Sequence, residues 1–241
     1  MADSTRMWIE VIFNVLYLIA VWTLVVMMWR RRTLVPPAQR RAARWFIGAF
    51  ALLALGDTGH VGFRVLAYAS GGLETPVRVF GVEQTFVGLG TLATSITVTL
   101  FYVLMLEVWR ASFGRSYGVA GICLLLSAVA RFAMMIPAAN EWQRVDPPLP
   151  YSIYRNVPLI VLGVGVAVLI LRDAWQVRDR AFLWIAGMIL VSYACYVPVI
   201  LLVAQYPLIG MLMIPKTLAY LAVAVIGYGA WFVPQARQVT A

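Results

Sequence analysis

Residues 8–32 read WIEVIFNVLYLIAVWTLVVMMWRRR, an almost wholly apolar run that stops at Arg30, Arg31 and Arg32. An α-helix rises about 1.5 Å per residue, so the part before the arginines spans about 33 Å, close to the hydrocarbon thickness of a bilayer. Three consecutive guanidinium groups cannot follow it into hydrocarbon, and an excess of arginine marks the cytoplasmic face. The run lacks a basic leading segment and a small-residue cleavage site, so it reads as a retained helix and not a signal peptide.

Six further apolar runs follow, at about 45–69, 79–109, 118–138, 156–175, 182–204 and 207–232. The third is long enough to tilt or to project from the bilayer. Pro36-Pro37, Gly71-Gly72, Pro147-Pro148 and Pro207 break the chain between runs. The chain is 63% hydrophobic and 12% charged, where soluble domains carry roughly 25% charged residues. Residues 1–241 therefore read as a single transmembrane domain: an all-α membrane protein, a seven-transmembrane-helix bundle.

Charge orients the bundle. Arg30, Arg31, Arg32, Arg40, Arg41 and Arg44 follow the first run, Arg110 and Arg115 the third, Arg172, Arg178 and Arg180 the fifth, and Arg237 lies in the tail. All fall on one side if the N-terminus is outside and the C-terminus cytoplasmic, as the positive-inside rule requires. The net charge of +9 is then a topology signal, and no nucleic-acid partner is expected. The expected partners are the lipid bilayer and a small-molecule or lipid ligand. Cys123 and Cys195 sit inside apolar runs and are expected as packed thiols. The linker 139–155, rich in proline and aromatics, is expected to form an ordered cap at the interface.

Ionisable side chains inside a bilayer cost roughly 2.5–3.5 kcal/mol on insertion scales, so they mark the candidate site. In the second run Asp57, His60 and Arg64 stand at i, i+3 and i+7, on one helical face, and His60 is the only histidine. This stripe is either an ion pair bridged by imidazole or a proton relay and ligand-binding face. An all-apolar stripe would pack equally well, which favours function. In the seventh run stands Lys216, the only lysine against 18 arginines. Counted at 1.5 Å per residue, Lys216 and Asp57 lie at similar depth, about 14 and 18 Å below their outer ends. Lys216 is either ion-paired to Asp57 or a free amine, which can shed its proton or form a Schiff base where arginine cannot. Pro215 is expected to loosen the helix and free a carbonyl near residue 211.

Other runs point polar groups the same way: Glu10, Asn14 and Tyr17, then Glu83, Arg131, Arg155, Asn156, Tyr193 and Tyr196, with Pro198 as a kink residue. The inner half reads as nearly all apolar. The expected site is a polar cavity facing outward, with Asp57, His60, Arg64, Arg131, Arg155, Asn156, Tyr193, Tyr196 and Lys216 as ligand-binding residues. In the third run, Thr91, Ser95, Thr99 and Tyr102 form one stripe and Thr94 and Thr97 another. With Gly88 and Gly90 these suit close helix packing.

One histidine and two scattered cysteines do not make a three-ligand zinc site, so no metal is expected. No phosphate-cradling glycine loop and no nucleophile elbow occur. If the chain were an enzyme, a lipid-modifying activity using His60 and Asp57 as an acid–base pair would be the form it takes.

Residues 56–64, 94–103 and 210–217 resemble a family of uncharacterised bacterial seven-helix integral membrane proteins, a likeness that runs nearly end to end. It implies a multi-pass protein of a bacterial inner membrane and brings no activity. A looser resemblance is to microbial rhodopsins, through Lys216 in the seventh run and Tyr196-Val-Pro-Val in the sixth. Those proteins share seven helices, an outside N-terminus and a helix-seven lysine that binds retinal, so the resemblance implies retinal at Lys216 as a possible cofactor. Here the third run offers only Arg78 and Glu83 in place of an arginine–aspartate pattern, the sixth lacks the tryptophan beside the retinal ring, and Asp57 would serve as counter-ion. The leading expectation is binding or transport of a small or amphiphilic, anionic ligand with proton coupling, and the rhodopsin-like photoreceptor or pump is the alternative.

Overall fold

The computed structural model describes residues 3–79, 81–145 and 147–233, with side chains from Ile12 onward except that of Val82. Seven helices form: α1 Asp3–Arg31, α2 Arg40–Ala69, α3 Phe86–Phe113, α4 Gly118–Met135, α5 Leu149–Val177, α6 Arg180–Leu202 and α7 Met213–Trp231. All seven belong to segments long and apolar enough to cross a membrane. The chain thus has the form of a multi-pass membrane protein. Leu16, Ile122, Leu126, Val168, Trp184 and Val225 stand exposed on its sides, as lipid-facing positions would.

Local chemistry sets the helix ends. The Thr85 hydroxyl accepts from the Gly88 N–H at 3.0 Å and starts α3, and Gly114 ends it in the left-handed region at φ 61°. Asp179 accepts from the Phe182 N–H at 3.1 Å and starts α6 one residue after Arg178 closes α5.

Three helix starts depart from the sequence reading; the first is α5, which begins at Leu149 and takes in the end of the linker expected to run to residue 155. The run expected as a helix from residue 79 begins as an antiparallel hairpin, β1 Pro76–Val79 with β2 Val82–Thr85, in the register Pro76↔Thr85 and Val79↔Val82. A two-residue loop with Gly81 at φ 84° suits a hairpin; Val77, Val79 and Val82 favour strand where apolarity alone suggested helix. The seventh run is likewise split, a 3-10 turn over Pro207–Leu212 preceding α7. Pro215 is the third residue of α7, and the carbonyls of Gly210 and Met211 both accept from the Met213 N–H. Proline in a first turn removes an N–H that has no intrahelical partner anyway.

Consecutive helices pack in a ring closed by α1 against α7, while α3 crosses the interior to reach α5. The closest pair is α2 with α3. A Cβ on Gly90 would come within 3.0 Å of the His60 Cα, and one on Gly56 would strike the Thr97 side chain. Phe46, Phe50, Phe101, Tyr102, Phe182 and Trp231 fill the core in mainly edge-to-face contacts toward the arginine-rich end.

The arginine-rich end, expected to be nearly all apolar, instead holds two buried carboxylates. Asp173 is 1% exposed and accepts from Trp109 Nε1 at 2.9 Å, Arg115 Nε at 3.2 Å and Arg172 Nε at 2.9 Å. Glu107 pairs with Arg110 at 2.7 Å and accepts from the Tyr117 hydroxyl. Neither cysteine is bonded, and Cys123 is exposed on the bundle side where a packed thiol was expected.

Candidate functional site

A cavity of about 430 Å³ opens in the half of the bundle toward the hairpin, and every one of the seven helices lines it. Drug-sized ligands occupy sites of roughly 300–1,000 Å³. From α1 come Asn14 and Tyr17, from α2 Asp57, His60 and Arg64, from α4 Arg131, from α6 Tyr193 and Tyr196, and from α7 Lys216 and Tyr220. The i, i+3, i+7 spacing on α2 thus becomes three neighbours on one wall.

Asp57 accepts from the Tyr17 hydroxyl at 2.9 Å. Beside it Trp22 Nε1 donates to the Thr58 hydroxyl at 2.9 Å, which in turn donates to the Ala54 carbonyl at 2.6 Å. These bonds tie α1, otherwise thinly packed, to α2. Among the described residues no ion pair within 4.0 Å joins Asp57 to Arg64 or Lys216. The bridged ion pair on α2 and the stapling Lys216–Asp57 pair are therefore not formed. His60 Nδ1 and Arg64 Nε are buried without a hydrogen-bond partner among the described residues, and the side-chain hydrogen bond that Asp57 makes there is with Tyr17 and not with His60.

Lys216 is held by aromatic faces. Its Nζ lies 4.4 Å from the Tyr196 ring centroid and 5.8 Å from that of Tyr220, within the reach of cation–π attraction. Tyr220 hydrogen-bonds Tyr102 at 2.7 Å, and Tyr193 donates to the Leu159 carbonyl at 2.9 Å, its ring filling the space Gly163 leaves. The Tyr196 hydroxyl donates to Asn156 Oδ1 at 3.0 Å.

Arg131 is only 2% exposed. Its Nη1 donates to the Arg155 carbonyl at 2.8 Å and to Asn156 Oδ1 at 3.1 Å, while its Nε has no partner among the described residues. No carboxylate pairs with it among the described residues.

Seven of the nine expected ligand-binding residues meet in the cavity wall. Arg155 and Asn156 stand behind it: Asn156 braces Arg131 and Tyr196, while Arg155 sits 4.3 Å over the Trp142 ring and reaches Asn140 Oδ1 at 3.4 Å. Asn140 is fully buried and donates to the Met134 and Pro137 carbonyls, both at 2.9 Å. Through these residues the linker ties the end of α4 to the start of α5. Glu83 is 74% exposed in the hairpin, paired with Arg78 at 3.9 Å, away from the cavity. The Glu10 side chain and Arg237 lie outside the described residues.

The hydroxyls of α3, expected to serve helix packing, also face the cavity. Thr91, Thr94 and Ser95 line the cavity, while Thr94 also donates to the Gly56 carbonyl at 3.1 Å and Thr99 to the Ser95 carbonyl at 2.7 Å. Tyr220 and Ser192 were missed in the sequence. Tyr220 was findable, standing one turn after Lys216 on the same face.

No family model, no curated protein and no solved structure matches the chain. The two resemblances read from the sequence gain no support from those comparisons.

Proposed function

We propose that this is a multi-pass membrane protein whose intramembrane cavity binds or transports a small or amphiphilic anion, with Asp57 and His60 coupling binding to protonation. The single observation that carries this reading is a charge imbalance. One carboxylate, Asp57, shares the cavity with Arg64, Arg131 and Lys216. Unpaired charge is costly at this depth, and an anionic ligand relieves it. With the N-terminus outside, as the arginine distribution argues, the hairpin end and the cavity face outward. A bacterial inner membrane is the expected location.

Asp57 is the coupling group because Tyr17 donates to it and Lys216, His60 and Arg64 line the same space. The test is binding of radiolabelled decanoate to the protein in nanodiscs across pH 5–8, for wild type and Asp57→Asn. Wild-type binding that depends on pH and a variant that loses this dependence are expected. Wild-type binding unchanged over that range would sink the coupling, and no binding of any anion would sink the whole reading.

A second reading is retinal held as a Schiff base at Lys216. It is favoured by an amine that faces a cavity between two tyrosine rings and lacks a carboxylate in contact. Incubation with all-trans-retinal distinguishes the two. A red-shifted absorption band lost in Lys216→Ala establishes the photoreceptor or pump, and its absence leaves Lys216 as a ligand-binding charge.

A further inference from the structure

The cavity has two chemically different ends, and they decide what kind of anion fits. Resting on the anion-binding reading above, we propose that the ligand is an amphiphilic monocarboxylate. Its head sits between Lys216 and Arg131 beside the Tyr196 ring, and its tail leaves toward the bilayer between α6 and the start of α7.

The head assignment follows from hydrogen-bond capacity. Arg131 is almost wholly buried, and its Nη1 is spent on Arg155 and Asn156. Its Nε has no acceptor among the described residues. A guanidinium edge matches the two oxygens of a carboxylate, and such charge-assisted pairs are about twice as strong as neutral ones. Lys216 lies on the Tyr196 ring, and the hydroxyl of that ring is bound to the same Asn156 oxygen that holds Arg131. Tyr196 thus spaces the two cations, which repel one another.

Charge count limits the head to one negative charge. Deep in the cavity Lys216 and Arg131 stand against Asp57, leaving one positive charge unbalanced. Arg64 lies two helical turns nearer the hairpin end, about 10 Å along α2. There it is half-buried and closer to water. A phosphate dianion would overcompensate the deep pair.

The tail assignment follows from Val199, Val203, Met211, Met213 and Ile214, the apolar lining that the cavity takes from the end of α6 and the start of α7. Val203 and Met213 line the cavity and are each 37% exposed. Exposed apolar side chains at a cavity's edge are where a hydrocarbon chain would leave it.

The experiment measures displacement of radiolabelled decanoate from the protein in nanodiscs. Competitors are acetate, decyl phosphate and decanamide; variants are Lys216→Gln, Arg131→Met, Arg64→Gln and Val203→Trp. Decanoate is expected to compete at least tenfold better than each competitor. Lys216→Gln is expected to weaken it at least tenfold and Arg64→Gln by a smaller factor. Val203→Trp is expected to weaken decanoate and spare acetate. Arg131→Met also removes the brace between α4 and α5, so Lys216→Gln carries the test if that variant does not fold. Acetate competing equally, decyl phosphate competing better, or Arg64→Gln costing as much as Lys216→Gln would overturn the assignment while leaving an anion site in place. Failure of wild type to bind any of these anions would instead remove the reading on which it rests.

Discussion

At the scale of single residues, the positions that matter are polar groups whose partners come from another helix. Tyr17 supplies a hydroxyl to Asp57 across the α1–α2 contact. Tyr17→Phe strips a buried acceptor of its donor and is expected to cost about 1–3 kcal/mol in denaturant unfolding in bicelles. Tyr154→Phe, at an exposed ring, should change it by less than about 0.5 kcal/mol. Asp173→Ala leaves Trp109 Nε1 without an acceptor and frees two guanidiniums; a loss of roughly 2 kcal/mol is expected. Arg115→Ala should cost under about 1 kcal/mol, because that side chain is half exposed. If Arg115→Ala proves as damaging as Asp173→Ala, the ion pair, and not the indole bond, holds this end. Lys216 and the Asp57–His60–Arg64 stripe were legible in the chain because a charge inside an apolar run announces itself. Asp173 and Glu107 were not, since they stand beside arginines at a run's end and read as ordinary interfacial charge.

At the scale of elements, close approach of α2 and α3 sets where the cavity wall stands. Gly90 lies against the His60 backbone, and a methyl there must push on main chain that cannot yield as a side-chain tip would. Gly90→Ala is expected to cost about 1–3 kcal/mol and to loosen decanoate binding through displaced His60. Gly62→Ala, with open space around it, should be neutral or stabilise by up to about 1 kcal/mol through helix propensity. Equal melting of the two variants would show that the helices are not in contact at Gly90. Hydropathy located all seven helices yet misread three of their starts, α5 beginning at Leu149 where residue 156 was expected. The segments 76–85 and 207–212 are apolar enough for helix, but Gly81 and Pro207 favour a hairpin and a 3-10 turn. Hydropathy averages over a window and does not see such local backbone preference.

At the scale of the whole molecule, orientation and the position of the cavity are separate matters. If the arginine-rich end is cytoplasmic, a cysteine replacing exposed Glu83, in a protein with Cys123 and Cys195 changed to alanine, should react with a membrane-impermeant maleimide on intact cells. A cysteine replacing exposed Ala38 at the other end should react only after lysis, and the reverse pattern would invert the topology. The amino-acid sequence by itself determined that seven segments suit a membrane, which end is rich in arginine, and which charges lie among apolar neighbours. These are properties of each segment alone, because hydropathy and charge need no partner to be read. Only the tertiary structure decided that Lys216 rests on tyrosine rings and not on Asp57, that Arg155 and Asn156 stand behind the cavity and not in it, and that Arg131 keeps an unpaired edge. Those facts depend on how each helix is rotated against its neighbours. Rotation is set by packing such as Gly90 on His60 and Gly163 under Tyr193, which joins residues far apart in the chain.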